Sequence, residues 1–466
     1  MDIKELQKLA LKRKSAWEKY KDDTSKVFEF CEYYKKFLDF SKTERRAFNY
    51  IYNEAKNNGF KDFKDANDKL IFTNRNKSIA LCKLGKKPLS EGIKLIVSHI
   101  DAPRLDLKQN PIFQEANVCL LRTHYYGGIK KYHWVSIPLS LFGTFIKSNG
   151  EVVEIIIGED DNDPVFTITD LLPHLARKVQ GDKKLAEALP AEKLVVTFGG
   201  IPIFNDEEDR ELKDSIKLNI LKILNEKYNL IEEDFLSAEV EIVPAFKAKD
   251  VGIDRSFIGA YGQDDRVCAY TSLRAILDMN DNEYTTIVLF ADKEEIGSDG
   301  NTGCKAKFLE YILSNILKIA EPENAHEFYL KEVLFNSKAI SADVNGALDP
   351  VFQEVHEPQN AAIIGYGVCV TKFTGHGGKY SANDAHAEYT GYIRNLFNKN
   401  GIIWQTGELG KVDEGGGGTV AKFHAEYGMD IIDCGVVLLG MHSPFEISSK
   451  VDVYETYLAY KCFLED

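Results

Sequence analysis

After Asp250 the chain alternates apolar runs of strand length with amphipathic runs of helix length, and that alternation constrains the fold most. Arg266–Met279 has helical spacing and Tyr284–Ala291 is a continuous apolar strand. Phe308–Leu317 reads as a helix, Ser337–Ala342 and Gly367–Phe373 as strands, Ala382–Lys399 as a helix, and Ile431–Leu439 as a last strand. Strands apolar along their whole length are buried on both faces. The pattern therefore predicts an α/β fold with a doubly wound, mostly parallel sheet. Ser78–Lys83 and Lys94–Val97 are two further strands before it.

Residues 104–246 have a different texture. Trp134–Leu139, Thr144–Ile146, Val152–Ile157 and Val165–Ile168 read as consecutive strands separated by turn residues, and Asp170–Gln180 as a short helix. Lys183–Glu192 reads as a charged loop, and Asp206–Glu211 and Glu232–Asp234 as solvated surface. Residues 1 to about 65 read as a charged helical cap. The simplest organisation is one α/β domain in two pieces, 1–103 and 247–466, with a β-rich domain, 104–246, inserted between them. At ~150 residues per domain, 466 residues fit three domains or two unequal ones.

The charge excludes some functions. A net charge of −14 disfavours binding to nucleic acid or an anionic membrane surface. The longest apolar runs, such as Val152–Gly158, are too short to span a bilayer, and Met1-Asp2-Ile3-Lys4-Glu5 lacks the apolar stretch of a secretory leader. Eight cysteines stand singly, without a C-x-x-C pair, which argues against a disulfide scaffold and for a reducing cytoplasm.

Chemistry-bearing residues gather where strands end or helices begin. His99 and Asp101 follow the strand ending at Val97. Asp264 and Asp265 precede the helix from Arg266. Glu294 and Glu295 follow Thr286–Ala291, Asp343 follows Ile340-Ser341-Ala342, and His442 follows Val436–Leu439. In open α/β sheets, sites lie beyond the carboxyl ends of strands, so these five segments are expected on one edge. Two histidines with several carboxylates and no cysteine suit Zn²⁺, Mn²⁺ or Co²⁺. A pair of such ions needs a bridging carboxylate, terminal ligands and a base, and adjacent glutamates can divide the last two roles.

Alone, each residue has a plainer explanation: a core histidine for His99, a helix cap for Asp264-Asp265, a solvated loop for Glu294-Glu295. The five-part pattern outweighs these. His124, His133, His326, His356, His376, His386 and His424 are read as structural, with His376 and His386 the ones to watch. Gly415–Gly418 lacks the G-K-[ST] ending of a phosphate loop, leaving a tight turn or close backbone approach to substrate.

The stretches Ser98-His99-Ile100-Asp101-Ala102-Pro103, Gly262-Gln263-Asp264-Asp265-Arg266, Asp292–Ser298, Ser341-Ala342-Asp343 and Gly440-Met441-His442-Ser443 together resemble the aspartyl aminopeptidase family of dizinc metallopeptidases. The resemblance implies a peptidase that releases N-terminal residues, favouring Asp and Glu, by attack of a metal-bridging water. It implies that His99 and Asp343 bind one metal, that His442 binds the other and that Glu295 is a terminal ligand. Asp264 would bridge both, Asp101 would orient His99, Glu294 would be the general base, and Asp265 would shape the turn. Leu172-Pro173-His174-Leu175-Ala176 resembles a motif on that family's dimerisation domain, so His174 is expected to reach a neighbouring subunit's active site. A homo-oligomer, a dodecamer built from dimers, follows. Lys372 and Tyr380 fall where the family lines its substrate pocket. A broad dizinc aminopeptidase, a deacylase and a non-catalytic scaffold are the competing readings.

Overall fold

The computed structural model describes residues 2–66, 68–203 and 213–466; the charge run Asp206–Glu211 lies outside them. The chain divides into two compact units. One comprises Met1–Ala102, Ala248–Met441 and Phe445–Asp466, the other Pro103–Lys247 and His442–Pro444. Among the described residues the fold is mixed α/β with three sheets of nine, seven and five strands.

The first unit is built on the nine-stranded sheet. At its centre Thr286–Ala291, Lys94–His99, Lys338–Ser341 and Asp430–Gly435 lie side by side and parallel. Antiparallel pairings flank them, with Ser78–Lys83 beside Thr286–Ala291 and Val368–Thr371 beside Asp430–Gly435. The strands are apolar on both faces because both faces are covered. Ile96, Val288, Ile340 and Ile432 pack on one side with residues of the helices Ser25–Phe40, Glu44–Asn57, Gln263–Asp278 and Lys450–Glu465. Leu95, Val97, Leu289, Ala339 and Ile431 pack on the other with the helices Phe308–Ala320 and Glu327–Phe335. Burying such a side chain stabilises by ~1.5–3 kcal/mol, and truncating Ile340 to Ala costs about 2–5 kcal/mol.

The last apolar run does not form one strand. It breaks after Gly435, with Asp430–Gly435 in the nine-stranded sheet and Val437–Leu439 in the five-stranded one. A Cβ on Gly435 would sit 2.0 Å from the carbonyl oxygen of Asp343, so this close approach requires glycine.

The second unit is a seven-stranded antiparallel sheet with the helix Ser215–Tyr228. Its long hairpin, Arg104–Glu115 with Val118–Tyr126, turns at Ala116 and Asn117, both at positive φ, as a two-residue hairpin demands. Trp134–Leu139 is not the strand its residues suggest. A 3₁₀ turn at Lys131–Trp134 buries Trp134, and the strand starts only at Leu139, after Pro138, which has no N–H for a ladder. Asp170–Gln180 contains only the short helix Pro173–Ala176 and a π-helical turn, Arg177–Gly181.

Candidate metal centre

His99 is the last residue of the parallel strand Lys94–His99, so its ring stands at the sheet's carboxyl edge. Glu294 and Glu295 begin a 3₁₀ turn just beyond the neighbouring strand Thr286–Ala291, and Asp343 follows Lys338–Ser341 on the other side. Asp264 and Asp265 depart from helical geometry at the start of Gln263–Asp278, and the peptide bond between them is cis. The backbone N–H of Asp264 donates to the buried Glu446 carboxylate at 3.1 Å.

These segments converge on His99. Its Nε2 lies 3.2 Å from Asp264 Oδ1, 3.8 Å from Asp343 Oδ1 and 4.0 Å from Glu294 Oε2. Its Nδ1 lies 3.1 Å from the carbonyl and 3.3 Å from the carboxylate of Asp101. Asp101 also receives the backbone N–H groups of Glu294 and Glu295, at 3.1 and 3.2 Å. One buried carboxylate thus fixes the histidine and both glutamates.

Among the described residues two sets of groups stand close enough to share a cation. They are His99 with Asp264 and Glu295, and His99 with Asp265 and Asp343. Asp265, expected from sequence to shape the turn, does lie at the irregular helix entry and stands in the second set as well. Asp265 is fully buried and accepts the His99 backbone N–H at 3.2 Å. Its position beside another aspartate, before a helix that starts irregularly, was the available signal.

The electrostatics fit a cation. Burial pushes the Asp265 carboxyl well above the usual range, against the favourable charge of His99 and with the repulsion of Asp264. Asp343 is raised in the same way, by burial and then by Asp265, with Glu294 and Asp264 adding to it. Burial opposes a charged His99, but hydrogen bonds to Asp101 and Asp264 hold its pKa well above the ordinary value. A group of buried carboxylates around one imidazole is costly unless positive charge is supplied. An oxygen-rich donor set with one nitrogen suits a divalent metal such as zinc.

The other expected site residues are not in these two sets. His442 belongs to the second unit, where its Nδ1 is 2.7 Å from the Gly128 carbonyl. His174 is exposed on the helix Pro173–Ala176 of the same unit, among the exposed Leu171, Leu172 and Leu175. Lys372 follows the strand Val368–Thr371 and is ion-paired with Asp384, which Lys379 also contacts at 2.9 Å. Tyr380 is exposed.

Comparison with known proteins gives a consistent picture. The family model described as aminopeptidase I zinc metalloprotease (M18) matches residues 37–464. A probable M18 family aminopeptidase 1 of Borrelia garinii subsp. bavariensis is 48% identical, covering 98% of this chain and 100% of the relative. The crystal structure of an M18 aminopeptidase from Thermotoga maritima superposes with a TM-score of 0.93 at 48% identity, covering 98% of this chain and 100% of that one. On the fold alone, the dodecamer of Saccharomyces cerevisiae mApe1 is similar at 20% identity and a TM-score of 0.72, covering 94% of this chain and 95% of that one.

Proposed function

The chain belongs to the M18 family of zinc metalloprotease aminopeptidases, and from that premise we propose that it is a two-metal aminopeptidase favouring peptides with acidic N-termini. The convergence of Asp264, Glu294, Glu295 and Asp343 on His99 is the observation that carries the reading.

His99 and Asp343 would hold one ion, His442 the other, Glu295 would be a terminal ligand, and Asp264 would bridge. Asp265 stands close enough to join His99 and Asp343. His442 enters on its motif alone. Two zinc ions, or manganese or cobalt, supply Lewis acidity and make water a nucleophile at neutral pH. Glu294 is the general base. Its side chain is 16% exposed against 2% for His99, so it faces space a substrate can enter. It takes a proton from the attacking water and gives it to the leaving amine, which becomes the new N-terminus of the shortened peptide. Asp101 keeps His99 Nδ1 engaged, which leaves Nε2 for a ligand role.

The exposed apolar face around His174 is what a neighbouring subunit would cover. On this reading the protein is a homo-oligomer, a dodecamer built from dimers, in which His174 stabilises the developing oxyanion in the adjacent site.

One observation favours a second reading. Lys372, the residue expected to recognise an acidic side chain, already has Asp384 as its counter-ion. Broad specificity follows if that pair persists when substrate binds. Hydrolysis of N-terminal aminoacyl peptides by purified protein, before chelation, after it and after metal return, tests both. Metal-restorable cleavage favouring Asp and Glu supports the first reading. Metal-restorable cleavage led by Leu or Met supports the second. No cleavage by assembled protein with zinc, manganese or cobalt overturns both.

A further inference from the structure

The strand Glu446–Ser449 of the five-stranded sheet buries the face that its residues would ordinarily leave in water. Glu446 and Ser448 are buried, while Ile447 between them is only partly covered. Buried polar side chains need partners. Here the partners are Gln263 and Asp264, at the irregular start of the helix Gln263–Asp278.

Gln263 is itself fully buried. Its Oε1 accepts the hydroxyl of Tyr34 at 3.1 Å and that of Ser448 at 2.6 Å. Its Nε2 donates to the carbonyls of Ile258 at 3.1 Å and Glu446 at 2.7 Å. A side-chain amide has two donor hydrogens and two acceptor lone pairs, so its whole capacity is used. The orientation is also determined. Carbonyl oxygens only accept, so the NH₂ end must face Ile258 and Glu446.

Three consecutive residues are therefore held from outside their own helix. Gln263 is held by the helix Ser25–Phe40 and by the strands Phe257–Ala260 and Glu446–Ser449. The Asp264 N–H donates to the Glu446 carboxylate at 3.1 Å, and Asp265 accepts the His99 N–H at 3.2 Å. Helical geometry cannot set these positions, because Asp264 and Asp265 depart from it. Apolar side chains of the same shape would support the fold about as well as the hydrogen-bonded set does. A fully satisfied polar network adds one fixed arrangement of the groups it joins. We propose that Gln263 is a positioning residue for the metal centre, its amide fixing the segment that carries Asp264 and Asp265. The proposal rests on the reading of His99 and its carboxylates as a metal site.

The test uses full-length protein stripped of metal by chelation, as wild type, Gln263→Met and the double variant Tyr34→Phe, Ser448→Ala. Two quantities are read: zinc affinity, by competition with a chromophoric chelator, and the melting midpoint without metal and with saturating zinc. A ligand bound only by the folded state raises the midpoint according to its affinity. Zinc should bind ~10–100-fold more weakly to Gln263→Met, the usual range for residues that orient ligands. The gap between the two midpoints should shrink with it. The double variant keeps the amide and both its carbonyl partners, so it should show the same two changes to a smaller degree. It carries the test if Gln263→Met does not fold. A merely structural role would lower both midpoints equally and leave zinc affinity unchanged, and that result overturns the proposal. Wild-type protein that binds no zinc would overturn the metal-centre reading together with it.

Discussion

The carboxylate of Asp101 accepts the backbone N–H of Glu294 at 3.1 Å. The same side chain reaches the N–H of Glu295 and the ring of His99, so it links two strand ends. A group with this many neighbours acts through the residues it holds. Asp101→Ala leaves the His99 ring only the backbone carbonyl at position 101 on that side, and leaves two amides without their acceptor. Metal affinity or activity should fall by ~10–100-fold, the usual range for residues that orient metal ligands. Metal content after dialysis, measured beside kcat, checks it, because a loss of kcat with full metal content would place Asp101 elsewhere in the mechanism.

Glu294→Gln keeps the shape of the proposed base and removes its ability to take a proton. Activity should drop by ~10²–10⁴-fold with metal content unchanged. Elemental analysis beside the peptide assay is the check. Retained activity would remove Glu294 from the chemistry, whereas lost metal would make it a ligand.

Metal stoichiometry separates the proposed ligands. Chelation should abolish activity, and returning zinc should restore it. Full-length protein should bind about two ions per chain, and His442→Ala about one, if that histidine serves one ion only. Asp264→Ala should lose more than His442→Ala because a bridging group serves both. Unchanged stoichiometry in His442→Ala would remove this residue from the proposed ligands.

The residues that meet at the sheet edge were legible because strand ends are. A continuous apolar run fixes where a buried strand lies, and the polar residue after it must sit at an edge. His99, Glu295 and Asp343 are placed at the edge by this reasoning, and the structure has them beyond or at their strand ends. Asp265 is not, because its role depends on the irregular entry to Gln263–Asp278, which no periodicity reports. Gly435 shows a similar limit. Its strand run continues through it in sequence, yet the close approach to Asp343 divides the run between two sheets. Asp384 was missed for a third reason. Pairing of Lys372 with a residue twelve positions away, across an irregular loop, is a tertiary fact.

That pairing makes a specificity prediction. Asp384 sits against both Lys372 and Lys379, and the two ammonium groups hold its carboxyl below the usual range. If Lys372 reads an acidic N-terminal side chain, Asp384 competes with the substrate for it. Asp384→Asn should then raise kcat/KM for Asp- and Glu-peptides relative to Leu-peptides. Lys372→Met should lower it, and more at low salt than at high, because such exposed charges are screened. An unchanged ratio in both variants would take Lys372 out of substrate recognition.

Asp452 gives the stability a pH dependence that can be worked out in sign. Its carboxylate is fully buried and accepts the N–H groups of Gly365 and Gly367 at 2.6 and 2.7 Å. Burial pushes its pKa up to about 8 despite those two donors, with Glu455 adding repulsion. In the unfolded chain an aspartate gives up its proton near pH ~4. Between about 4 and about 8 the folded protein therefore binds more protons than the unfolded one. Stability from this group is fully present below the lower value and is lost as pH rises through the upper one, an effect on the order of a few kcal/mol. Asp452→Asn removes the titration, although its amide meets one glycine N–H donor to donor and lowers stability throughout. Urea midpoints at pH 5 and pH 8 should fall more steeply for the wild type than for the variant. Equal falls would show that Asp452 stays ionised, with the two glycine N–H groups outweighing its burial.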